Sequence, residues 1–184
     1  GDDGSADITT RQNIQLRGIK IQDIPDIFNK FNKVGLTTIQ SGMDNVRNIT
    51  GDPVAGLDIN ELYDTRELVQ KIQDMLTNNS EGNPEFSNLP RKFNIAITGG
   101  RDNSVHAEIN DLAFIPAFLT NKEQIPVLGF NVIVGGLFSA KRCQAAIPLN
   151  VWVSAGDVVS LSKVIVEIFR DHGLRANRQK ARLI

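Results

Sequence analysis

At 184 residues the chain fits about one domain and is long enough to bury a sizeable core. With 41% hydrophobic and 22% charged residues it is neither disordered nor collagen-like, and one cysteine with two histidines excludes a disulfide scaffold and a multi-cysteine metal site built from this chain alone. A net charge of −1 provides no global basic field for nucleic acid, and no stretch reaches the roughly 18–20 apolar residues that span a bilayer.

The N-terminus, Gly1-Asp2-Asp3-Gly4-Ser5, is acidic and polar, unlike a secretory signal, and carries no initiator methionine. It reads as a chain cut from something longer or freed of a tag. Residues 8–21 form an extended run in which Ile14 and Leu16 share one side while Asn13, Gln15 and Arg17 share the other. A helix follows: Asp23 caps it, Pro25 suits its first turn, Ile24, Ile27, Phe28, Phe31 and Val34 form its stripe, and Gly35 stops it. Residues 36–39 read as a strand, and residues 41–56 as a long Gly/Asn/Asp-rich loop with few core formers, a kind of connection that often carries function.

A second helix spans residues 65–76, with Asp64 and Glu67 at capping-box spacing and Leu68, Val69, Ile72, Met75 and Leu76 buried. After a polar loop and a turn at Pro84, residues 95–98 form a strand closed by Gly99-Gly100. Residues 111–120 and 127–134 form a hairpin about residues 121–126, and Gly135-Gly136 marks a tight turn or close backbone approach. A third helix fills residues 157–172, capped by Ser154 and ended by Gly173, and the tail from Arg175 is basic. Alternating strands and amphipathic helices with a hairpin predict an α+β fold with a mixed sheet.

Basic residues cluster in loops and at strand edges: Arg11, Arg17, Arg47, Arg91, Lys92, Arg101, Arg175, Arg178, Lys180 and Arg182, interleaved with Asn13, Gln15, Asn45, Asn48, Asn94 and Asn177. The mixture suits a polyanionic ligand, since arginine grips carboxylate in a bidentate fork and lysine is a mobile point charge and proton donor; ordinary solvated charge is the alternative. His106 reads as a surface residue, His172 as a helix C-terminal contact, Cys143 as a packed small residue, and Trp152 and the phenylalanines as core. The glycine doublets make only a weak dinucleotide signature, and no histidine pair has zinc-ligand spacing.

Six stretches taken together carry a resemblance: DITTRQNIQLRGI (7–19), VGLTTIQSGMDNVRNITGDPVAGLD (34–58), NLPRKFNIAI (88–97), INDLAFIPA (109–117), GFNVIVGGLFSAKRCQAAIPL (129–149) and LRANRQKARLI (174–184). In this order they resemble the assimilatory nitrite and sulfite reductases that carry sirohaem and a [4Fe–4S] cluster, and in particular their ferredoxin-dependent, nitrite-reducing branch. The resemblance implies six-electron reduction of nitrite to ammonia with ferredoxin as electron donor, in a cyanobacterial cytoplasm or a plastid stroma. It also implies three pieces: the end of a ferredoxin-like element at 1–36, a sirohaem-cradling α+β module at 37–155, and the start of a second ferredoxin-like element at 156–184. Assimilatory sulfite reduction is the nearest rival. A non-catalytic tetrapyrrole- or anion-binding module and a nucleic-acid-binding domain using Arg175 to Arg182 are further ones, the last disfavoured by the balanced charge and the lack of an aromatic platform.

The same resemblance implies residue roles. Arg47 and Lys92 match cations on the distal face of the sirohaem, and Asn94 matches a position where nitrite reductases carry Lys-x-Asn and sulfite reductases tend to carry Lys-x-Lys. Thr9, Arg11, Gln15 and Arg91 match the surround of the macrocycle, with Arg17 an adjacent candidate. Asn177, Arg178, Lys180 and Arg182 match a basic segment near its carboxylates. Ile14 stands where many relatives have tryptophan, which implies a packing change only. The family's four cluster cysteines and one further distal arginine have no counterpart here. The chain therefore reads as the middle third of the enzyme, without a cluster and inactive by itself, with exposed edges that invite self-association.

Overall fold

The computed structural model describes residues 4–183. It divides into two compact units, one ending at Ser41 and one running from Gly42.

The first unit is small. Strands β1 (Ala6–Ile8) and β2 (Ile14–Leu16) form an antiparallel hairpin with Ile8 opposite Ile14. The extended run expected at 8–21 is broken because Thr9 organises a turn: its Oγ1 accepts the amides of Arg11 and Asn13, and Gln12 takes a positive φ. Helix α1 (Ile24–Lys33) has Pro25 in its first turn, as the sequence indicates, but Asp23 makes no side-chain cap. Gly35 lies past its end at φ +72°, and the amides of Val34 and Leu36 return to Phe31 O. Residues 36–39 form no strand, contrary to the sequence expectation. The Thr37 hydroxyl accepts the Ile39 amide and Thr38 O accepts the Ser41 hydroxyl, local bonds that displace a ladder.

The second unit is built on a four-stranded sheet of order β3-β4-β5-β8, comprising β3 (Ile95–Ile97), β4 (Leu112–Thr120), β5 (Pro126–Val134) and β8 (Ile147–Val153). Strands β3 and β4 are parallel, and the other pairings are antiparallel. Helices α2 (Arg66–Thr77) and α3 (Val158–His172) cover one face. There Leu68, Ile72, Leu76, Val158, Val166 and Phe169 meet Ile95, Ile97, Leu112, Phe114, Phe130 and Val132 in one core. The alternate residues Ala96 and Ala113 pack on the other face with Val105 and Ala107, as the two-residue period of a strand requires. This is the mixed α+β arrangement that the patterning predicts.

Several details differ from the sequence reading. Strand β8 and the short pair β6 (Leu137–Phe138) and β7 (Cys143–Gln144) were not anticipated. β8 is an edge strand that tolerates Pro148, leaves its alternating Ile147, Leu149 and Val151 exposed, and pairs with β5 through a register shift between Asn131 and Ile133. The capping box is absent because the Asp64 carboxylate is taken by the Arg66 amide and guanidinium. Ser154 donates to Asp157 Oδ2 instead of capping α3. Cys143 is exposed rather than packed. Phe28, Phe118 and Phe138 are exposed too, while Trp152 is half-buried across Gly129, with its Nε1 donating to Ala117 O at 3.0 Å. The 41–56 segment is richer in core than expected: Val46 and Ile49 are buried and pack against the helices' core.

Gly99, just past β3, allows a close approach of two segments of the chain. Its carbonyl accepts the amides of Leu62 and Tyr63, and a Cβ there would lie 1.8 Å from Tyr63 O. Because the obstacle is backbone, Gly99→Ala should destabilise the protein by about 3 kcal/mol, measured as a lowered urea midpoint; an unchanged midpoint would refute this account of the turn.

Candidate functional site

The polar face of the second unit begins with a backbone pairing. Phe93 bonds in parallel to the 44–50 segment: its amide donates to Asn45 O at 2.9 Å, and its carbonyl accepts from the Arg47 amide at 2.8 Å. A second bridge joins Thr50 to Ala96. Val46 and Phe93 both have zero exposure and point into the core. By the two-residue period of extended backbone, their neighbours Asn45, Arg47, Lys92 and Asn94 share the opposite face. The Gly/Asn/Asp-rich loop is thereby an added, irregular strand beside β3.

Charge converges on that face. The Asp44 carboxylate accepts Arg91 Nη1 at 3.2 Å and both terminal nitrogens of Arg178. Asp111, at the entry to β4, is fully buried; it accepts Arg182 Nε at 2.9 Å and the Asn94 amide at 2.8 Å. Arg47 folds back so that its Nη2 donates to Met43 O at 2.9 Å. No carboxylate forms an ion pair with Lys92 among the described residues. Burial lowers its pKa, the charges of Arg182, Arg47 and Arg91 lower it further, and only Asp111 opposes them. Arg47 is pushed in the same direction, by burial first, with Asp44 opposing and Arg91 and Arg182 adding to the fall. The buried Oδ1 atoms of Asn45 and Asn94 have no hydrogen-bond partner among the described residues. Surplus positive charge makes a surface that fits an anionic ligand, while the orphaned amide oxygens, being acceptors, call for a donor such as water.

The structure thus brings together Arg47, Arg91, Lys92, Asn94, Arg178 and Arg182, residues far apart in the sequence that folding closes into one patch. Asn177 and Lys180 lie in an exposed turn, with Asn177 Oδ1 accepting the Gln179 amide, and neither side chain bonds to the patch among the described residues. Thr9, Arg11 and Gln15 belong to the first unit. There Thr9 builds its turn and Gln15 Oε1 receives Arg17, which also pairs with Asp7. His106 is exposed, at φ +48°, and His172 ends α3. Asp44 and Asp111 are the residues that reading the sequence missed. An acidic residue inside each otherwise basic or apolar motif, GMDNVR and INDLAF, was the available signal.

The chain belongs to the nitrite and sulphite reductase family: residues 42–184 match the "Nitrite and sulphite reductase 4Fe-4S domain", and residues 1–34 match the "Nitrite/Sulfite reductase ferredoxin-like half domain". It is 68% identical over its whole length to a ferredoxin–nitrite reductase of Leptolyngbya laminosa, of which it covers 35%, and 52% identical to the chloroplastic ferredoxin–nitrite reductase of Arabidopsis thaliana, of which it covers 30%. The structure of Mycobacterium tuberculosis NirA protein superposes on 97% of the chain at TM-score 0.82 and 36% identity, with 31% of that protein covered. The crystal structure of dissimilatory sulfite reductase I (DsrI) shares the fold at TM-score 0.73 and 12% identity. The chain spans about a third of the length of the curated relatives it matches.

One of the two clamps is open to a direct pH test. Partial burial raises the Asp44 carboxyl, but hydrogen bonds from Arg178 and Arg91 and their charges outweigh it and hold the pKa below the ordinary 3.8. A depressed folded value means the stabilisation is complete above the unfolded pKa and is lost as pH falls through the folded one. Asp44→Asn should therefore cost about 1 kcal/mol at neutral pH, and the gap from wild type should close in acid below pH 3.8. A gap that stays constant across that range in urea titrations would rule the pair out as its source.

Proposed function

We propose that the chain is the segment of a ferredoxin-dependent nitrite reductase that supplies the cationic, substrate-facing wall of a sirohaem site. Lys92, held among three arginines with a depressed pKa and no ion-pair partner among the described residues, is the observation that carries this reading. Sirohaem is a flat ring with many carboxylates, and the N–H donors that Asp44 and Asp111 leave on Arg91, Arg178 and Arg182 have the chemistry to hold them. Thr9, Arg11 and Gln15 of the first unit, and Asn177 and Lys180 of the second, are proposed as sirohaem-binding residues on the resemblance alone. When bound, the tetrapyrrole supplies the redox-active iron. The cluster's thiolates do not fit on this chain: it has one cysteine, exposed, and no group of three potential metal-ligating side chains occurs among the described residues. Electrons from ferredoxin and the cluster itself belong to the complete protein, and so does turnover.

The wall's contribution is electrostatic and protic. Nitrite is drawn to a face with excess positive charge, and charge that develops on its oxygens as they leave as water meets fixed donors. Arg47 is tied by its Nη2 to Met43 O and offers hydrogen bonds without releasing a proton. Lys92 can do both, since its lowered pKa brings proton release closer to neutrality. Asn94 adds hydrogen-bonding capacity without charge, which suits a singly charged anion better than doubly charged sulfite. Cyanobacterial cytoplasm or plastid stroma is the proposed compartment, in keeping with the chloroplastic relatives.

In the complete enzyme, Lys92→Met should lower kcat for nitrite by about 10²–10⁴-fold, with reduced methyl viologen as donor; turnover within a few-fold of wild type would sink the assignment. The wild-type rate should decline on the alkaline side below the ordinary lysine value of 10.5, because a lowered pKa releases the proton earlier. Asn94→Lys should shift relative activity from nitrite toward sulfite, and an unchanged ratio of the two rates would remove Asn94 as a determinant.

A further inference from the structure

Asp111 has no exposed surface, and a carboxylate so buried is tolerated only when its charge is met. Arg182 meets it on both oxygens, and the Asn94 amide adds a third bond at 2.8 Å. The backbone repeats the link, since the Leu112 amide donates to Asn94 O at 3.1 Å and the Gly135 amide donates to Asp111 O at 2.9 Å. Arg182 reaches this point from the C-terminal tail, where Ala181 is buried and Leu183 packs against the core. One carboxylate therefore fastens the peptide that carries Asn94 and the guanidinium that flanks Lys92.

We propose that Asp111 is a positioning residue for the Lys92–Asn94 segment: by gripping Arg182 and the Asn94 peptide together, it fixes the charge balance at Lys92. The proposal rests on the reading of Lys92 as proton donor. The charged groups acting on Lys92 are Arg182, Arg47 and Arg91 on the positive side and Asp111 on the negative side, with Asp44 engaged by Arg91 and Arg178. Neutralising Asp111 leaves the ammonium facing three cations and makes it surrender its proton at lower pH. Neutralising Asp111 and Arg182 together removes the larger repulsion along with the smaller attraction, so the proton is held to higher pH. A carboxylate that served folding alone would move neither.

The test compares Asp111→Asn, the Asp111→Asn/Arg182→Gln double variant, Lys92→Arg and Ile72→Val in the complete, cofactor-loaded enzyme. Two quantities are followed against pH: kcat for nitrite with reduced methyl viologen, and nitrite affinity from absorption titrations. Asp111→Asn should shift the alkaline limb of both to lower pH and reduce kcat/KM by about 10–100-fold through misplacement of the segment. The double variant should shift the limb to higher pH; because it removes both members of a buried pair it also folds more readily than the single one. Ile72→Val, in the core of α2, should lower Tm and leave the limb in place. A limb that stays at the wild-type pH in both Asp111 variants, while Lys92→Arg abolishes it, overturns the positioning role alone. A limb that survives in Lys92→Arg overturns the proton-donor reading and the positioning role with it.

Discussion

Everything on the polar face depends on one short parallel pairing. Phe93 donates to and accepts from the residues flanking Val46, and both side chains are driven into the core. Burying two large apolar groups is worth roughly 3–6 kcal/mol, and it fixes register, since a slip of one residue would exchange core and surface. The polar residues at 45, 47, 92 and 94 are the obligatory remainder of that register. Hydrophobic burial on one side of the backbone thus sets the arrangement of charge on the other.

The charge itself is deliberately unbalanced. Asp44 and Asp111 neutralise parts of Arg91, Arg178 and Arg182, and each carboxylate takes a guanidinium in a geometry that rigid planar forks favour. Among the described residues Lys92 has no such partner, and Arg47 donates to a carbonyl. An ammonium set among three guanidinium groups is locally unfavourable, which is what lowers the Lys92 pKa beyond the effect of burial. The tail, which in isolation reads as a solvated basic run, delivers two of the arginines because Arg175 pins its start to Asn88 O and Arg170 O.

Much of the fold was legible because its long elements are strongly periodic. The β4–β5 hairpin, α2 and α3 follow from alternation and helical stripes, and the motifs carried the family. What escaped was whatever depends on partners distant in sequence. Residues 41–56 look like a loop because Val46 and Ile49 are too widely spaced to show a period, yet their burial comes from Phe93 and Ile95 beyond them. Residues 36–39 look like a strand because Thr and Ile favour one, but the Thr37 hydroxyl takes up the Ile39 amide and the Leu36 amide returns to Phe31 O. The cations of the site were readable as residue types; the two carboxylates that aim them were not, because a single Asp in a motif does not disclose which arginine it meets.

The buried Asp52 gives the arginine-bearing segment an unusual kind of closure. Its carboxylate accepts the Gly99 amide at 2.6 Å, the Gly100 amide at 3.0 Å, the Thr98 hydroxyl at 3.1 Å and the Ser104 hydroxyl. Together with the pairing at Phe93, this ties the segment carrying Arg47 at both ends, like a ring fastened by a non-covalent rivet. The entropy of ordering that segment is lost once, when the chain folds. A sequence that looks like the loosest part of the chain is held as firmly as a strand, so the anion binding proposed for it would require little further ordering.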